Sequence, residues 1–217
     1  MNYLSFDIGI KNLAYCELTP EKKIVRWGIF NLNQNPQCEA HLRKKCKKQA
    51  SYIQKKGSTC HYFCTAHSKK QKGCKKLNTN YDLFNLSKFC FEQLSSLDLS
   101  QVKVVLLENQ PALKNPTMKS VQMVVYSFFM MKGVLVDTLP TDEIHMVNAR
   151  NKLKVYKGPP IECSIKEKYK RNKFLSVKYT EQMIENEESN FITYFEESQK
   201  KDDLADAYLQ GIYWIEK

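Results

Sequence analysis

The stretch SFDIGIKN, residues 5–12, decides the fold, because it ends an apolar strand on an acid and then turns at a glycine. A glycine there permits a tight turn and a close approach of the backbone to a ligand. Residues 3–8, 12–18 and 24–32 are each predicted to be strands, with Thr19-Pro20 at the turn before the third. The chain is therefore expected to open with a three-stranded meander.

The segment VKVVLLE, residues 102–108, marks the centre of the predicted sheet. It is a nearly continuous apolar run that ends on an acid, as expected of a strand buried on both faces. Elsewhere, apolar residues at helical spacing predict helices, and one further strand is expected. The helices are expected at residues 80–97, 117–132, 163–188 and 202–214, and the strand within residues 134–147. This order predicts an α/β fold, a mixed sheet flanked by helices.

Residues 33–77 interrupt the pattern and are predicted to form a small Cys- and His-rich insertion, leaving residues 1–32 and 78–217 as the core. Residues 38–76 contain 12 Lys and Arg residues and one acid, Glu39, whereas the rest of the chain has as many acids as bases. The net charge of +11 is thus a property of the insertion. Such a one-sided patch predicts a polyanionic partner, most often nucleic acid. The alternative is a solvated basic loop that has no partner.

Four acids stand out by their position in the predicted elements. Asp7 and Glu108 end strands, and Asp203 and Asp206 are three residues apart on the last helix, so they share one face. Taken singly, each acid has an ordinary explanation, as a turn residue, a lysine partner or an acid in the first turn of a helix. Together they predict a site for two Mg²⁺ ions that hydrolyses a phosphodiester, because hard cations prefer carboxylate oxygens.

Four motifs carry a family resemblance, in the order FDIGIKNLAY, LLENQP, MKSVQMVVYSFF and KKDDLADAYLQ. They resemble the poxvirus-type Holliday junction resolvases, which are relatives of the RuvC resolvases, over most of the chain outside the insertion. The resemblance implies an RNase H-like fold and a homodimer that cuts four-way junctions and branched DNA, in recombination or in viral genome concatemer processing. It implies Mg²⁺ as the cofactor, two ions per site with Mn²⁺ able to substitute, and no small-molecule cofactor.

The resemblance also assigns roles to residues. Asp7, Glu108, Asp203 and Asp206 carry over as the metal-binding catalytic acids. The family places a lysine near the scissile phosphate, where it holds the phosphate or stabilises developing charge. Lys152 in NARNKLKVY is the candidate, with Lys154 and Lys173 as alternatives. The poxvirus members are shorter and lack the insertion, so this chain looks more like a relative from another lineage of large DNA viruses.

The insertion has the residue types of a zinc site. Cys64 and His67 form a closely spaced ligand pair, and Cys38 and Cys46 are the expected second pair. Cys60 or Cys74 could replace either member of that second pair, and His41 and His61 lie nearby in the sequence. A basic segment with few apolar residues cannot easily fold without such a metal, and the alternative is a flexible loop with unpaired thiols. Three aromatic residues could form a minimal core or stack on bases, namely Tyr52, Tyr62 and Phe63.

Other classes of protein account for fewer of these features. DIGIKN also resembles the first phosphate loop of sugar kinases and actin-like ATPases, but the chain has seven Gly residues and no further Gly-rich loop. A transposon-type or RNA-guided nuclease with the same core is nearer, and a non-catalytic zinc-finger DNA-binding protein would explain the charge but not the acids. No apolar run is long enough to span a membrane, and the chain enters a strand at once. We therefore expect a soluble protein of the host cytoplasm or nucleus that is not secreted.

Overall fold

The computed structural model describes residues 1–32, 35–40, 44–77, 82–113 and 115–217. The chain divides into two compact units, which are described separately. The core unit consists of Met1–Leu32 and Leu83–Lys217, and the insertion unit is Asn33–Asp82. In the part of the chain that is described, no helix is both long and apolar enough to cross a membrane.

The core unit opens with the three-stranded meander that the sequence predicts. Strands β1 (Asn2–Ile8), β2 (Asn12–Leu18) and β3 (Ile24–Asn31) follow one another. Both pairings, β1 with β2 and β2 with β3, are antiparallel. β1 is buried on both faces, because Phe6 and its neighbour Ser5 are each fully shielded from solvent. It therefore lies inside the sheet, with helices to cover it on either side.

The insertion unit contains a small antiparallel sheet that the sequence did not predict. Its elements are β4 (Tyr52–Lys56), β5 (Thr59–Phe63), helix α1 (Thr65–Ser68) and β6 (Lys75–Lys76), and the strand order is β5-β4-β6. β4 and β5 are joined by a turn at Gly57, whose φ of +59° favours glycine. Lysines occupy both faces of these short strands, so the alternation of apolar and polar residues that reveals a strand is absent.

The remaining strands complete a five-stranded mixed sheet in the core unit. Helix α2 (Leu83–Ser95) precedes β7 (Val102–Glu108), and helix α3 (Pro116–Phe129), extended by a π-helical turn (Met130–Leu135), precedes β8 (Glu143–Val147). β7 runs parallel to β1 on one side and to β8 on the other. The strand order is β3-β2-β1-β7-β8. The prediction of a mixed sheet flanked by helices is confirmed.

The last part of the chain is helical, with a 3₁₀ helix and one α-helix more than the sequence predicts. A 3₁₀ helix (Ala149–Val155) is followed by α4 (Lys168–Met183), α5 (Ser189–Glu197) and α6 (Lys201–Ile215). The helix expected over residues 163–188 is therefore shorter than predicted, and α5 was missed. The sequence of α5 is rich in aromatic and β-branched residues, which form helices poorly by themselves. Packing compensates, since Phe195 is fully buried and stacks on Trp27 with ring centroids 5.0 Å apart.

Helices cover both faces of the large sheet. α6 lies against the face of β1 that carries Ser5, and a Cβ on Gly211 would come within 2.6 Å of Leu18. α3 lies against the other face, where the Phe129 ring is 5.9 Å from that of Phe6. The α6 layer contains a large apolar cluster, and Trp27 Nε1 anchors it by donating to the Leu204 carbonyl at 3.1 Å. α6 is thereby held close to the strands that end in acids.

Candidate active site and metal centres

Asp7 and Glu108 lie side by side at one edge of the large sheet. β1 and β7 are parallel with Phe6 opposite Leu107, so the next residue of each strand is Asp7 or Glu108. Parallel strands end at the same edge of a sheet, which is why acids far apart in the sequence become neighbours here. Both acids therefore lie at strand ends, where the sequence analysis expected them.

Lys152 lies at the centre of the acids. Its Nζ is 2.9 Å from Asp7 Oδ1, 3.4 Å from Glu108 Oε2 and 3.4 Å from Asp206 Oδ2. The side chain is 5% exposed, and the 3₁₀ helix that carries it packs against α6. The alternatives lie elsewhere, since Lys154 is exposed and Lys173 pairs with Asp202. Of the three candidate lysines, the structure brings Lys152 to the acids.

The remaining acid, Asp203, is held by a residue that the sequence analysis did not single out. Asn12 Nδ2 donates to Asp203 Oδ2 at 2.9 Å. Asn12 is the last residue of SFDIGIKN, and the turn that brings it to α6 depends on Gly9. A Cβ at Gly9 would lie 2.5 Å from the Asn12 carbonyl oxygen. The glycine is needed for this close approach, as the motif predicts, and the position of Asn12 in the motif could have revealed its role.

Burial and mutual repulsion set the electrostatics of this site. The pKa of Asp7 is raised to about 7, chiefly by burial, with Lys152 opposing the rise and Glu108 adding to it. Burial likewise raises the pKa of Asp203 and of Asp206. Burial would lower the pKa of Lys152, but the carboxylates of Asp7, Asp206 and Glu108 raise it above its usual range. The ammonium therefore stays protonated, and the surplus of acids around it attracts a further cation.

Two buried glutamines fix the elements that carry the acids. Gln210, one turn beyond Asp206 on α6, donates through Nε2 to Ser5 Oγ at 3.1 Å, to the Phe6 carbonyl at 3.1 Å and to the Leu106 carbonyl at 3.4 Å. Gln110, in the LLENQP motif, donates to the Ile8 carbonyl at 3.4 Å. The first ties α6 to β1 and β7, and the second ties the ends of β1 and β7 together. Gln210 is the last residue of the KKDDLADAYLQ motif and lies in the apolar second half of α6, but nothing in that motif predicted its hydrogen bonds to β1 and β7.

The chemistry of the donor set suits a hard divalent cation. Asp7, Glu108, Asp203 and Asp206 offer only carboxylate oxygens, which are the ligands that Mg²⁺ and Mn²⁺ prefer. These acids and one ammonium lie at the carboxyl edge of a mixed sheet. An arrangement of this kind can hold metal ions and a phosphate group together, which is what hydrolysis of a phosphodiester requires.

A second, chemically different cluster lies in the insertion unit. The sulfur atoms of Cys38, Cys46 and Cys64 and a ring nitrogen of His67 all lie within 4.8 Å of one another. The Nδ1 atom of His67 is 3.3 Å from Cys38 Sγ and 3.4 Å from Cys64 Sγ. Tetrahedral zinc bound to sulfur and imidazole separates such atoms by about 3.5 Å. These four residues can therefore hold a zinc ion.

Among the described residues of the insertion, Cys60, Cys74 and His61 are not part of this group of four. Cys74 packs against the apolar cluster of Cys38, Phe63 and Cys64, and Cys60 lies on β5. His61 Nδ1 is 2.9 Å from Glu39 Oε2, with which it pairs. His41 lies outside the described residues. The structure thus brings together the four residues that the sequence analysis ranked first.

Comparison with known proteins gives one relative by sequence and several by structure. No protein-family model matches the chain. The chain is 30% identical to the uncharacterised protein L451 of Acanthamoeba polyphaga mimivirus, over 95% of this chain and 60% of L451. The chain thus spans about three fifths of the length of that relative.

Among solved structures, the chain is similar to the yeast mitochondrial Holliday junction resolvase Ydc2. The TM-score is 0.54 at 16% identity, covering 98% of this chain and 78% of Ydc2. Fowlpox virus resolvase in complex with Holliday junction DNA matches at a TM-score of 0.46 and 18% identity, over 100% of this chain and 97% of that one. RuvC of Thermus thermophilus in complex with a Holliday junction substrate matches at a TM-score of 0.49 and 9% identity, over 98% of this chain and 91% of that one.

At 16% identity, the likeness to Ydc2 bears on the fold alone, whereas the acids and the lysine are properties of this chain's own residues. The chain therefore has the RNase H-like fold of the Holliday junction resolvases.

Proposed function

We propose that this protein is a metal-dependent DNA endonuclease that resolves four-way junctions and other branched DNA by phosphodiester hydrolysis. One observation carries the proposal, which is the convergence of Asp7, Glu108 and Asp206 on a buried Lys152 at the carboxyl edge of an RNase H-like sheet. The junction as substrate is supported by the fold shared with Ydc2, which is a Holliday junction resolvase.

The proposed metal is Mg²⁺, two ions per site, with Mn²⁺ able to substitute. Asp7, Glu108, Asp203 and Asp206 would hold such ions, which would supply an activated water and stabilisation of the leaving oxygen. The acids fit because they offer only oxygen donors and because their surplus negative charge favours cations. Asn12 keeps Asp203 in one orientation through its hydrogen bond. Such fixed ligand orientation is a usual requirement of metal sites.

Lys152 has a separate role in this proposal. Its ammonium balances the buried carboxylates in the protein alone. When cations neutralise the acids, the ammonium becomes available to hold the scissile phosphate, because phosphate oxygens are strong acceptors for an ammonium donor. It then stabilises the charge that develops on those oxygens as the phosphodiester is attacked. Burial excludes competing water and strengthens this interaction.

The experiment that tests this function is incubation of the purified chain with labelled four-way, forked and linear duplex DNA, with and without Mg²⁺. We expect nicking of the four-way and forked DNA that requires Mg²⁺ or Mn²⁺, with little cutting of the linear duplex. Equal cutting of all three would contradict junction selectivity. Binding to all three without cleavage would favour the non-catalytic DNA-binding alternative. Cleavage only with an added guide RNA would favour an RNA-guided nuclease.

We propose a homodimer as the active form. A four-way junction offers two equivalent strands, and a two-fold symmetric dimer carries two active sites to cut them. The segment Met131–Val136 supports a dimer, because four of its six residues have apolar, exposed side chains, and Leu135 is 73% exposed. Exposed apolar patches commonly mark protein interfaces. Light scattering of the chain, free and bound to a junction, tests the proposed dimer. A monomer in both states would contradict the dimer.

We further propose one structural zinc ion per chain, bound by Cys38, Cys46, Cys64 and His67. Elemental analysis of protein prepared without chelators tests this, with about one equivalent expected. Replacing Cys46 by Ser should remove the zinc, whereas the matched replacement of Cys163, outside the cluster, should keep it. Less than a tenth of an equivalent in the wild-type chain would contradict the proposal.

The biological setting that we propose is recombination or genome concatemer processing in a large DNA virus. The mimivirus relative supports this lineage. The proposed sites of action are the host cytoplasm, at the viral factory, or the nucleus. Tagged protein expressed in infected host cells would show it at sites of viral DNA synthesis. Uniform exclusion of the tagged protein from those sites would count against this setting.

A further inference from the structure

The insertion unit's small sheet has two chemically different faces. Residues paired across strands share a face, and neighbours along a strand alternate. Tyr52 pairs with Phe63 and Gln54 with His61, whereas Ile53 pairs with both Tyr62 and Lys75, and Lys55 with Cys60. We name the face that carries Ile53, Lys55, Cys60, Tyr62 and Lys75 the open face, and the other the inner face.

The inner face supplies the buried core of the insertion unit. Gln54 and Phe63 lie on it and are buried, and Phe63 clusters with Cys38 and Cys64. Gln54 also donates to the Lys72 carbonyl at 2.7 Å. By contrast, none of the five residues of the open face is buried. Phe63 thus lies in the core of the insertion unit, whereas Tyr62 lies on the open face.

The five residues of the open face include two exposed lysines and no acid. Lys55 and Lys75 are exposed, and residues 38–76 contain a single acid, Glu39. That acid pairs with His61, an inner-face residue. A sheet face that presents exposed lysines beside a partly exposed aromatic ring has the chemistry of a surface for single-stranded nucleic acid, where the backbone meets cations and bases stack on rings.

Duplex DNA fits this surface less well. Reading a duplex groove takes a helix or a two-stranded ribbon that enters it. In the described residues of the insertion unit, the helix has four residues, and the β4–β5 hairpin is paired with β6 in a three-stranded sheet, so it is not a free two-stranded ribbon. An open sheet face can meet unstacked nucleotides directly, and an RNase H-like nuclease acting on branched DNA encounters such nucleotides at forks and at frayed junction centres.

We propose that the open face binds single-stranded DNA, with Lys55 and Lys75 neutralising phosphates and Tyr62 stacking on a base. This surface goes beyond the proposed nuclease activity, and it does not depend on the catalytic acids. Its test therefore uses binding alone, so that failure of cleavage and failure of this surface remain distinguishable.

The test compares two matched double variants of the full zinc-loaded chain. Lys55→Ala with Lys75→Ala removes two charges from the open face. Lys56→Ala with Lys76→Ala removes two charges from the inner face on the same two strands. The affinity for a single-stranded oligonucleotide is measured by fluorescence anisotropy over a range of salt concentrations, without Mg²⁺. Zinc content, determined for each variant, confirms that the unit is folded.

The open-face double variant should flatten the slope of log affinity against log salt by about 1.4, since each phosphate neutralised on a single strand contributes about 0.7. The inner-face double variant should leave the slope close to that of the wild type. Tyr62→Ala should weaken single-strand binding roughly 5- to 100-fold, and Tyr62→Phe should retain it. Equal slopes for the two double variants, or wild-type affinity in Tyr62→Ala, would overturn the proposal.

Discussion

The two units of this protein hold their clustered polar groups by opposite means. In the core unit, the acids lie at the ends of two strands buried in a large sheet, and a buried lysine balances their charge. In the insertion unit, three cysteines and a histidine face one another over a core in which Cys38, Phe63 and Cys64 are the buried cluster. In the core unit, the fold holds the acids in place. In the insertion unit, the Cys and His cluster must itself stabilise the fold.

This difference predicts different responses to metal. The core unit has its own apolar layers and hydrogen bonds, and the Lys152 ammonium balances its acids. We therefore expect it to stay folded when Mg²⁺ is absent. The insertion unit buries too few apolar side chains to offset the entropy of ordering its chain. Binding of zinc by a small domain supplies about 10–16 kcal/mol, and without it such domains unfold.

The largest effect expected from this contrast follows the loss of a zinc ligand. Cys64→Ser should unfold the insertion unit, because the cluster loses a ligand that is also part of its small core. Hydrogen exchange should show loss of protection in Tyr52–Phe63, while β1 and β7 keep theirs. Cys163→Ser, outside the cluster, is the control and should match the wild type. Retained protection in the Cys64→Ser chain would mean that the unit folds without the metal.

The second effect concerns the counter-charge in the core unit. Lys152→Met leaves three partly buried carboxylates without their cation, and breaking a fully buried ion pair in this way costs about 3–5 kcal/mol, which sets the upper end of the expected loss. Urea denaturation should show this loss without Mg²⁺ and a partial recovery when Mg²⁺ or Mn²⁺ is added. Lys154→Met, at an exposed position of the same 3₁₀ helix, should stay within about 0.5 kcal/mol of the wild type. Equal stability of the two variants would contradict the balancing role.

The same contrast explains how much could be predicted from the sequence. Buried elements have clear sequence patterns, so the apolar runs that end on Asp7 and Glu108 predicted the central strands. The spacing of Asp203 and Asp206 predicted that they share one face of the last helix. The metal ligands of the insertion could be proposed because Cys and His are few and closely spaced. Its sheet could not, because lysines on both faces remove the alternation of apolar and polar residues.

The contacts that position the acids were also hidden from sequence patterns. Lys152 lies in a 3₁₀ helix among several basic residues, and only the fold brings it, rather than Lys154 or Lys173, to the acids. Gln210 ends the KKDDLADAYLQ motif, but the motif does not indicate that its partners are Ser5, Phe6 and Leu106. Helix α5 forms because Phe195 packs against Trp27, a partner far away in the sequence. Packing between residues that are far apart in the sequence decides each of these features, so no local sequence pattern predicts them.

A smaller effect is expected from loosening the core unit's site without removing charge. Gln210→Leu keeps the bulk of the side chain but loses its hydrogen bonds to Ser5, Phe6 and Leu106. Leaving buried acceptors unpaired costs about 1–3 kcal/mol. Thermal denaturation should therefore show a lowered midpoint, and Mg²⁺-dependent cleavage should fall as α6 moves relative to β1 and β7. An unchanged cleavage rate at saturating Mg²⁺ would show that Gln210 serves stability alone.

The central claim is that the acids of the core unit form the cleavage site, and one variant tests it most directly. Glu108→Gln keeps the size and hydrogen bonding of the side chain but removes a carboxylate beside Asp7. The matched control is Glu143→Gln, an exposed acid at the start of the neighbouring strand β8. Cleavage of a labelled four-way junction in Mg²⁺ and binding to the same junction should be measured for both variants. The account predicts that Glu108→Gln loses cleavage by about 1000-fold or more and keeps binding, while Glu143→Gln matches the wild type. Cleavage at the wild-type rate by Glu108→Gln would contradict the account.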